Sequence, residues 1–220
     1  MNGFSYWIFG YKKFAEPIIR ECICIEKGWQ DISDKVSTPT IPDVLESLER
    51  RNDWGGDFYI LKQKAKECLG KRKRRMALDA AFLDKNRNII IGEFKSWGGW
   101  EKFGIKKLYD EVIQGKFFPD RLAINEVSYE GQTTNVSEFI IATNLTVQNN
   151  NDIIWKIGNL TIEVFDIVDL LCKYGEPATE KCGSFLQLEQ SVNDVKKYIK
   201  TGGTEEAAKE TVKVISKREA

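Results

Sequence analysis

The chain has 220 residues, long enough for one sizeable core, and its 33 basic and 33 acidic side chains leave no net charge. That balance argues against a general nucleic-acid coat, and 42% hydrophobic with 30% charged residues excludes a disordered chain. No run is long enough to span a bilayer, and the opening MNGFSYWIFGYKK is an aromatic cluster rather than a signal sequence. Five cysteines, with Cys22-x-Cys24 as the one close pair, show neither a disulfide framework nor zinc spacing, so the expected compartment is a reducing cytoplasm.

Phe4 to Phe14 is rich in aromatics. A helix is expected from Glu16-Pro17 through Cys24, with Pro17 in its first turn and Ile18, Cys22 and Ile25 at helical spacing. Cys22 and Cys24 read as buried small apolar residues. After the break at Ser37 to Thr40, a second helix is expected from Ile41 to about Asn52. Thr40 is its N-cap, Asp43 complements its dipole, and Ile41, Val44, Leu45 and Leu48 form its apolar stripe, with Glu49 at the border. Asp53 to Asp57 reads as a turn and Phe58 to Lys66 as the first strand of a sheet. From Lys62 to Arg75 the chain carries Lys62, Lys64, Lys66, Lys71, Arg72, Lys73, Arg74 and Arg75, with Glu67 as the only acid. A basic block entering the next segment would place cations, Lys71, Arg72, Lys73 and Arg74 among them, against a phosphate backbone.

That next segment carries the chemistry. Met76 to Leu83 and Ile89 to Ile91 are apolar runs joined by Asp84-Lys85-Asn86-Arg87-Asn88, which predicts a β-hairpin with a four- or five-residue turn. Strand alternation puts Ile89, Ile91, Glu93, Lys95 and Trp97 on one face, so an apolar face ends in an acid and a base. Asp79, fourteen positions before Glu93, falls roughly across the hairpin from it. Two converging carboxylates call for a cation between them, and their hard oxygens suit Mg²⁺. Asp84 is the rival first carboxylate, but it sits in the turn. Lys95 is placed to orient a water or neutralise a developing phosphorane. With no histidine in the chain, this set fits phosphodiester hydrolysis better than acyl transfer.

Downstream, Trp97 and Trp100 flank glycines and are candidates to line a groove. Glu101 to Phe118 reads as a helix with Phe103, Leu108, Val112 and Ile113 inward. Ser137 to Asn144 is a near-continuous apolar strand suited to the middle of a sheet, and Leu160 to Phe165 is another. Ile167 to Tyr174 begins a short helix ended by Gly175. Ser184 onward is helical, broken at Gly202 and Gly203 before a charged terminal helix. The order helix, three strands, helix, strand describes an α/β sandwich in one domain, with its core at about 41–171 and elaborations at either end.

Asp79, then Glu93-Phe94-Lys95 closing an apolar strand, resembles the PD-(D/E)XK nuclease superfamily over about Ile41 to Leu171, with Leu78 where that motif has its proline. The resemblance implies a restriction-endonuclease-like sandwich, a central mixed β-sheet flanked by helices. It implies that Asp79, Glu93 and the Phe94 backbone carbonyl hold Mg²⁺ while Lys95 serves the attacking water. Glu49 matches the extra acid that members bring from the first core helix, and Gln114 the glutamine some place on the later one. The expected activity is Mg²⁺-dependent cleavage of double-stranded DNA by a homodimer of the type II restriction kind. A repair or recombination nuclease and a non-catalytic nucleic-acid binder are the alternatives.

Overall fold

The computed structural model describes residues 12–51, 56–95, 104–143 and 153–181. Helix α1 (Lys12–Lys27) buries Ile18, Ile19, Cys22 and Ile23, a stripe at helical spacing. It starts upstream of the expected Glu16, so Pro17 lies inside it rather than in the first turn, and burial of that stripe outweighs the proline's cost. Cys22 and Cys24 are buried thiols, as expected. Two-residue strands β1 (Gln30–Asp31) and β2 (Val36–Ser37) follow, separated by a 3₁₀ turn. Helix α2 (Ile41–Arg50) begins with a capping box, Asp43 N–H donating to Thr40 Oγ1 while Thr40 N–H donates to Asp43 Oδ2 at 3.0 Å.

The expected first strand at Phe58 to Lys66 is instead part of helix α3 (Asp57–Gly70). Its period explains the correction. Phe58, Leu61, Ala65 and Leu69 recur every three or four residues and are buried, whereas Tyr59 and Ile60, which the strand reading used, are 56% and 45% exposed.

The hairpin forms as expected. Strand β3 (Ala80–Leu83) pairs antiparallel with β4 (Ile89–Lys95), with Ala80 opposite Gly92 and Leu83 opposite Ile89. Asp84 and Asn88 close the next pair through Asp84 N–H to the Asn88 carbonyl, so the loop proper has three residues, shorter than expected. It is a turn followed by left-handed Arg87, at φ 64°. Asp84 uses both carboxylate oxygens there, accepting from the Asn86 and Asn88 N–H groups and from Asn88 Nδ2.

Helix α4 (Ile105–Gln114) is the described part of the helix expected over Glu101 to Phe118, and it stops at Gly115. A Cβ on that glycine would lie 2.3 Å from the Glu111 carbonyl oxygen, so only glycine fits this extended C-cap, and the chain restarts at Pro119 as the short helix α5 (Pro119–Leu122). Strands β5 (Glu126–Tyr129) and β6 (Gln132–Thr143) form a second hairpin. Strands β7 (Ile153–Ile157) and β8 (Leu160–Asp166) form a third, and α6 (Ile167–Lys181) runs on through the expected stop at Gly175, which is itself buried. Phe4, Trp97, Trp100 and Phe103, most of the turn expected before Asp57, and everything from Ser184 onward lie outside the described residues.

The strands make one mixed sheet in the order β1-β3-β4-β6-β8-β7. The parallel pairs are β4 with β6 and β6 with β8, and the start of β6 turns aside to pair with β5, which pairs β2. As expected, β6 is central, and it is buried from Phe139 to Thr143. Alternation gives the sheet two apolar faces. Ile89, Ile91, Phe139, Ile141 and Val164 pack with α2, α3, α4 and α5. Ala80, Phe82, Ile90, Ile140 and Phe165 pack with α1 and α6. Gly92 belongs to the second face, where a Cβ would come 2.6 Å from Ile140 Cγ1, so only glycine lets these strands approach. The result is an α/β fold with helices on both faces of a mixed sheet.

Candidate active site

The hairpin register sets the geometry. The ladder ends with Ala80 opposite Gly92, so Asp79 lies at a bend just before β3 while Glu93 is the next residue along β4. Both carboxylates lie in the protein's interior, at 9% and 8% exposure. Asp79 Oδ2 accepts from the Phe94 N–H at 2.9 Å. That bond fixes the carboxylate beyond the last backbone pair of the ladder. It also shows that the Phe94 amide points to the β3 side, and in an extended strand the carbonyl of a residue points the same way as its N–H. Asp79 is thereby held at the end of the hairpin where β4 carries Glu93 and Phe94.

Lys95 is the last residue of β4, and its Nζ stands 3.9 Å from the centroid of the Phe117 ring. That cation–π contact holds the ammonium on the segment between α4 and α5. Asp79 is braced from behind by α1, where Arg20 donates to the Asp79 carbonyl at 3.2 Å and to Asp31 Oδ2 at 2.8 Å. A cavity of about 380 Å³ borders this strand, lined by Ser33, Val36, Ser37, Thr38 and the lead-in residues Arg75 to Leu78.

Two charged residues not expected from the sequence complete the surroundings. Asp120, 1% exposed, accepts from Arg72 Nε and from Arg121 Nη1, the latter at 3.0 Å to each carboxylate oxygen. Burial pushes the Asp120 carboxyl up, against the hydrogen bond and charge of Arg72. Arg121 in turn places its Nε 3.4 Å from Glu93 Oε1. The signal was an acid–base pair, Asp120-Arg121, set inside the otherwise apolar run from Phe117 to Ile124 just after a helix-starting proline.

The other candidates fall elsewhere. Glu49 is exposed at the end of α2 and ion-paired to α3 through Lys66 and, at 3.7 Å, Lys62; its hydrogen bond from Lys66 lowers its carboxyl below the usual value. Gln114 is exposed in the last turn of α4. Asp84 is spent on the hairpin loop, which removes it as the rival to Asp79. In the basic block, Lys64 and Lys71 share Glu67, whose carboxyl they draw down to about 2. Arg72 is ion-paired to the buried Asp120. Lys73, Arg74 and Arg75 are exposed.

No group of three or more Asp, Glu or Cys side chains gathers for a metal among the described residues. Mg²⁺ does not need one, since it keeps several waters and takes one or two carboxylates. Asp79 and Glu93, two buried carboxylates at one end of the hairpin, are oxygen donors of the right kind, so the residues present fit that ion. Comparisons with family models, curated proteins and solved structures return no match to this chain.

Proposed function

We propose that this chain is a Mg²⁺-dependent nuclease of the PD-(D/E)XK type, hydrolysing phosphodiester bonds in double-stranded DNA. The observation that carries the reading is the end of the hairpin, where the buried Asp79 carboxylate accepts from the Phe94 N–H at 2.9 Å, between Glu93 and Lys95 on β4. Asp79, Glu93 and the Phe94 carbonyl are the ligands. When bound, the cation supplies charge neutralisation at the phosphate and makes water a better nucleophile at neutral pH.

The chain's own residues do the rest. Lys95 orients the attacking water and stabilises charge as it develops on the phosphoryl oxygens, from a position fixed by Phe117. Arg20 and the Phe94 amide hold Asp79 so that its carboxylate need not reorganise during the reaction. Lys73, Arg74 and Arg75 run along the approach to β3 and meet the DNA backbone, which positions the duplex without reading its sequence. Cutting both strands calls for two copies, so the working unit is a homodimer. The reading places the enzyme in the cytoplasm, as a type II restriction endonuclease.

Digestion of a mixed panel of plasmid, linear, branched and damaged DNAs with Mg²⁺ tests this. Discrete fragments from unmodified duplex DNA are the expected result. Cutting confined to branched or damaged DNA would assign a repair enzyme of the same chemistry. Salt-sensitive binding without cleavage in either Mg²⁺ or Mn²⁺ would refute the catalytic reading in favour of a nucleic-acid binder.

A further inference from the structure

The nuclease reading leaves Arg121 without a role, although it lies 3.4 Å from one of the two proposed metal ligands. Its guanidinium is held unequally at its two ends. Nη1 donates to both oxygens of the buried Asp120 at 3.0 Å, and Arg72 anchors Asp120 from the other side. Nε, by contrast, is buried and finds no aligned acceptor among the described residues, Glu93 Oε1 included. A buried carboxylate without a counter-charge is costly, so a cation beside Glu93 stabilises the protein before any metal arrives. The Nε end can therefore give up Glu93 while Nη1 stays on Asp120.

We propose that Arg121 is a stand-in cation, which neutralises Glu93 until the divalent metal takes that carboxylate and then turns about Asp120 to give its Nε–H to a phosphodiester oxygen. Arg121 is a positioning residue for Glu93 in the metal-free protein and a phosphate ligand in the loaded one. The inference rests on the nuclease reading. A like-charged neighbour competes with the incoming ion, so the chain trades metal affinity for a donor already poised at the substrate.

The test is calorimetric titration of the full chain with Mn²⁺, beside single-turnover cleavage of duplex DNA at saturating Mn²⁺. An opposite charge close to a carboxylate changes its affinity for a cation by tenfold or more, so Arg121→Gln should bind Mn²⁺ about tenfold more tightly. Losing one transition-state donor should slow its cleavage about 100-fold. Arg121→Lys, which keeps the charge, should bind Mn²⁺ much as the wild type does. A merely structural role would weaken binding and cleavage together. Should Arg121→Gln fail to fold, the wild-type Arg121 Nε–H resonance, assigned by its loss in Arg121→Lys, carries the test and should shift as Mg²⁺ saturates the site. Unchanged or weaker Mn²⁺ binding in Arg121→Gln, undiminished cleavage, or a resonance that ignores Mg²⁺ overturns the proposal. Asp79→Asn and Glu93→Gln separate the two failures: if the wild type binds no more Mn²⁺ than these do, the metal centre itself is wrong and this inference falls with it.

Discussion

Replacing Arg72 by alanine should destabilise the protein, whereas the exposed Lys73 beside it can be changed freely. Asp120 is 1% exposed and holds two guanidinium groups, of which the substitution removes one. Removing one partner of a buried pair costs about 3–5 kcal/mol. Here Arg121 still donates to Asp120, and Arg72 is 29% exposed so that water takes part of its place, which lowers the expectation to about 2–3 kcal/mol. At roughly 2–4 °C per kcal/mol for a chain of this length, the melting temperature should fall by about 4–12 °C. The loss should also depend on pH. Burial already raises the Asp120 carboxyl, and the Arg72 hydrogen bond and charge oppose that rise, so in Arg72→Ala it climbs further. An acid with a raised folded-state pKa favours the native state when protonated, and that advantage is lost as pH rises through the folded value. The gap between wild type and variant should therefore be full at neutral pH, narrow on acidification through the raised pKa, and be smallest below the ordinary 3.8. Urea denaturation at a series of pH values measures it, with Lys73→Ala as the control. A neutral-pH gap under about 0.5 kcal/mol, the scale of an ordinary surface substitution, or one that widens with acid, would show that Arg72 does not hold a buried Asp120 charge.

Gly92→Ala should cost about 1–3 kcal/mol, because its Cβ would meet Ile140 Cγ1 at 2.6 Å inside the sheet; a denaturation midpoint equal to the wild type's would show that the strands can separate without cost. Lys95→Ala should abolish cleavage while leaving duplex binding in place, checked by gel shift beside a single-turnover assay. Changing Lys73, Arg74 and Arg75 together to alanine should weaken binding to all sequences alike. It should also flatten the plot of log affinity against log salt by roughly 0.9 for each phosphate that the variant no longer neutralises. An unchanged slope would place the DNA elsewhere on the molecule.

The hairpin and its charged end were legible because both rest on local rules. Period-two alternation fixed which residues share the face of Glu93, and an Asp/Asn-rich link fixed where the chain turns. Asp79 stands one residue before β3, and its carboxylate reaches the Phe94 N–H beside Glu93. Helix α3 was misread because Phe58, Tyr59 and Ile60 are consecutive and apolar, and a short apolar run looks alike in both periods until its downstream repeats at Ala65 and Leu69 are counted. The Asp120 link to Arg72 spans 48 residues and the Arg20 link to Asp79 spans 59, so both depend on packing that no local pattern encodes. For the same reason Arg72 looked like its exposed neighbours in a basic run. The role of α1, which braces Asp79 from outside the expected core, was hidden in the same way.

If Asp79 and Glu93 form one metal-dependent catalytic centre, cleavage of supercoiled plasmid must depend on the metal and on both carboxylates. The wild type, Asp79→Asn and Glu93→Gln are each shown to be folded, then assayed with Mg²⁺ and with EDTA. Cleavage by the wild type that requires Mg²⁺ and is lost in both variants is the expected result. Cleavage that survives either substitution, or that persists in EDTA, would contradict a shared metal centre.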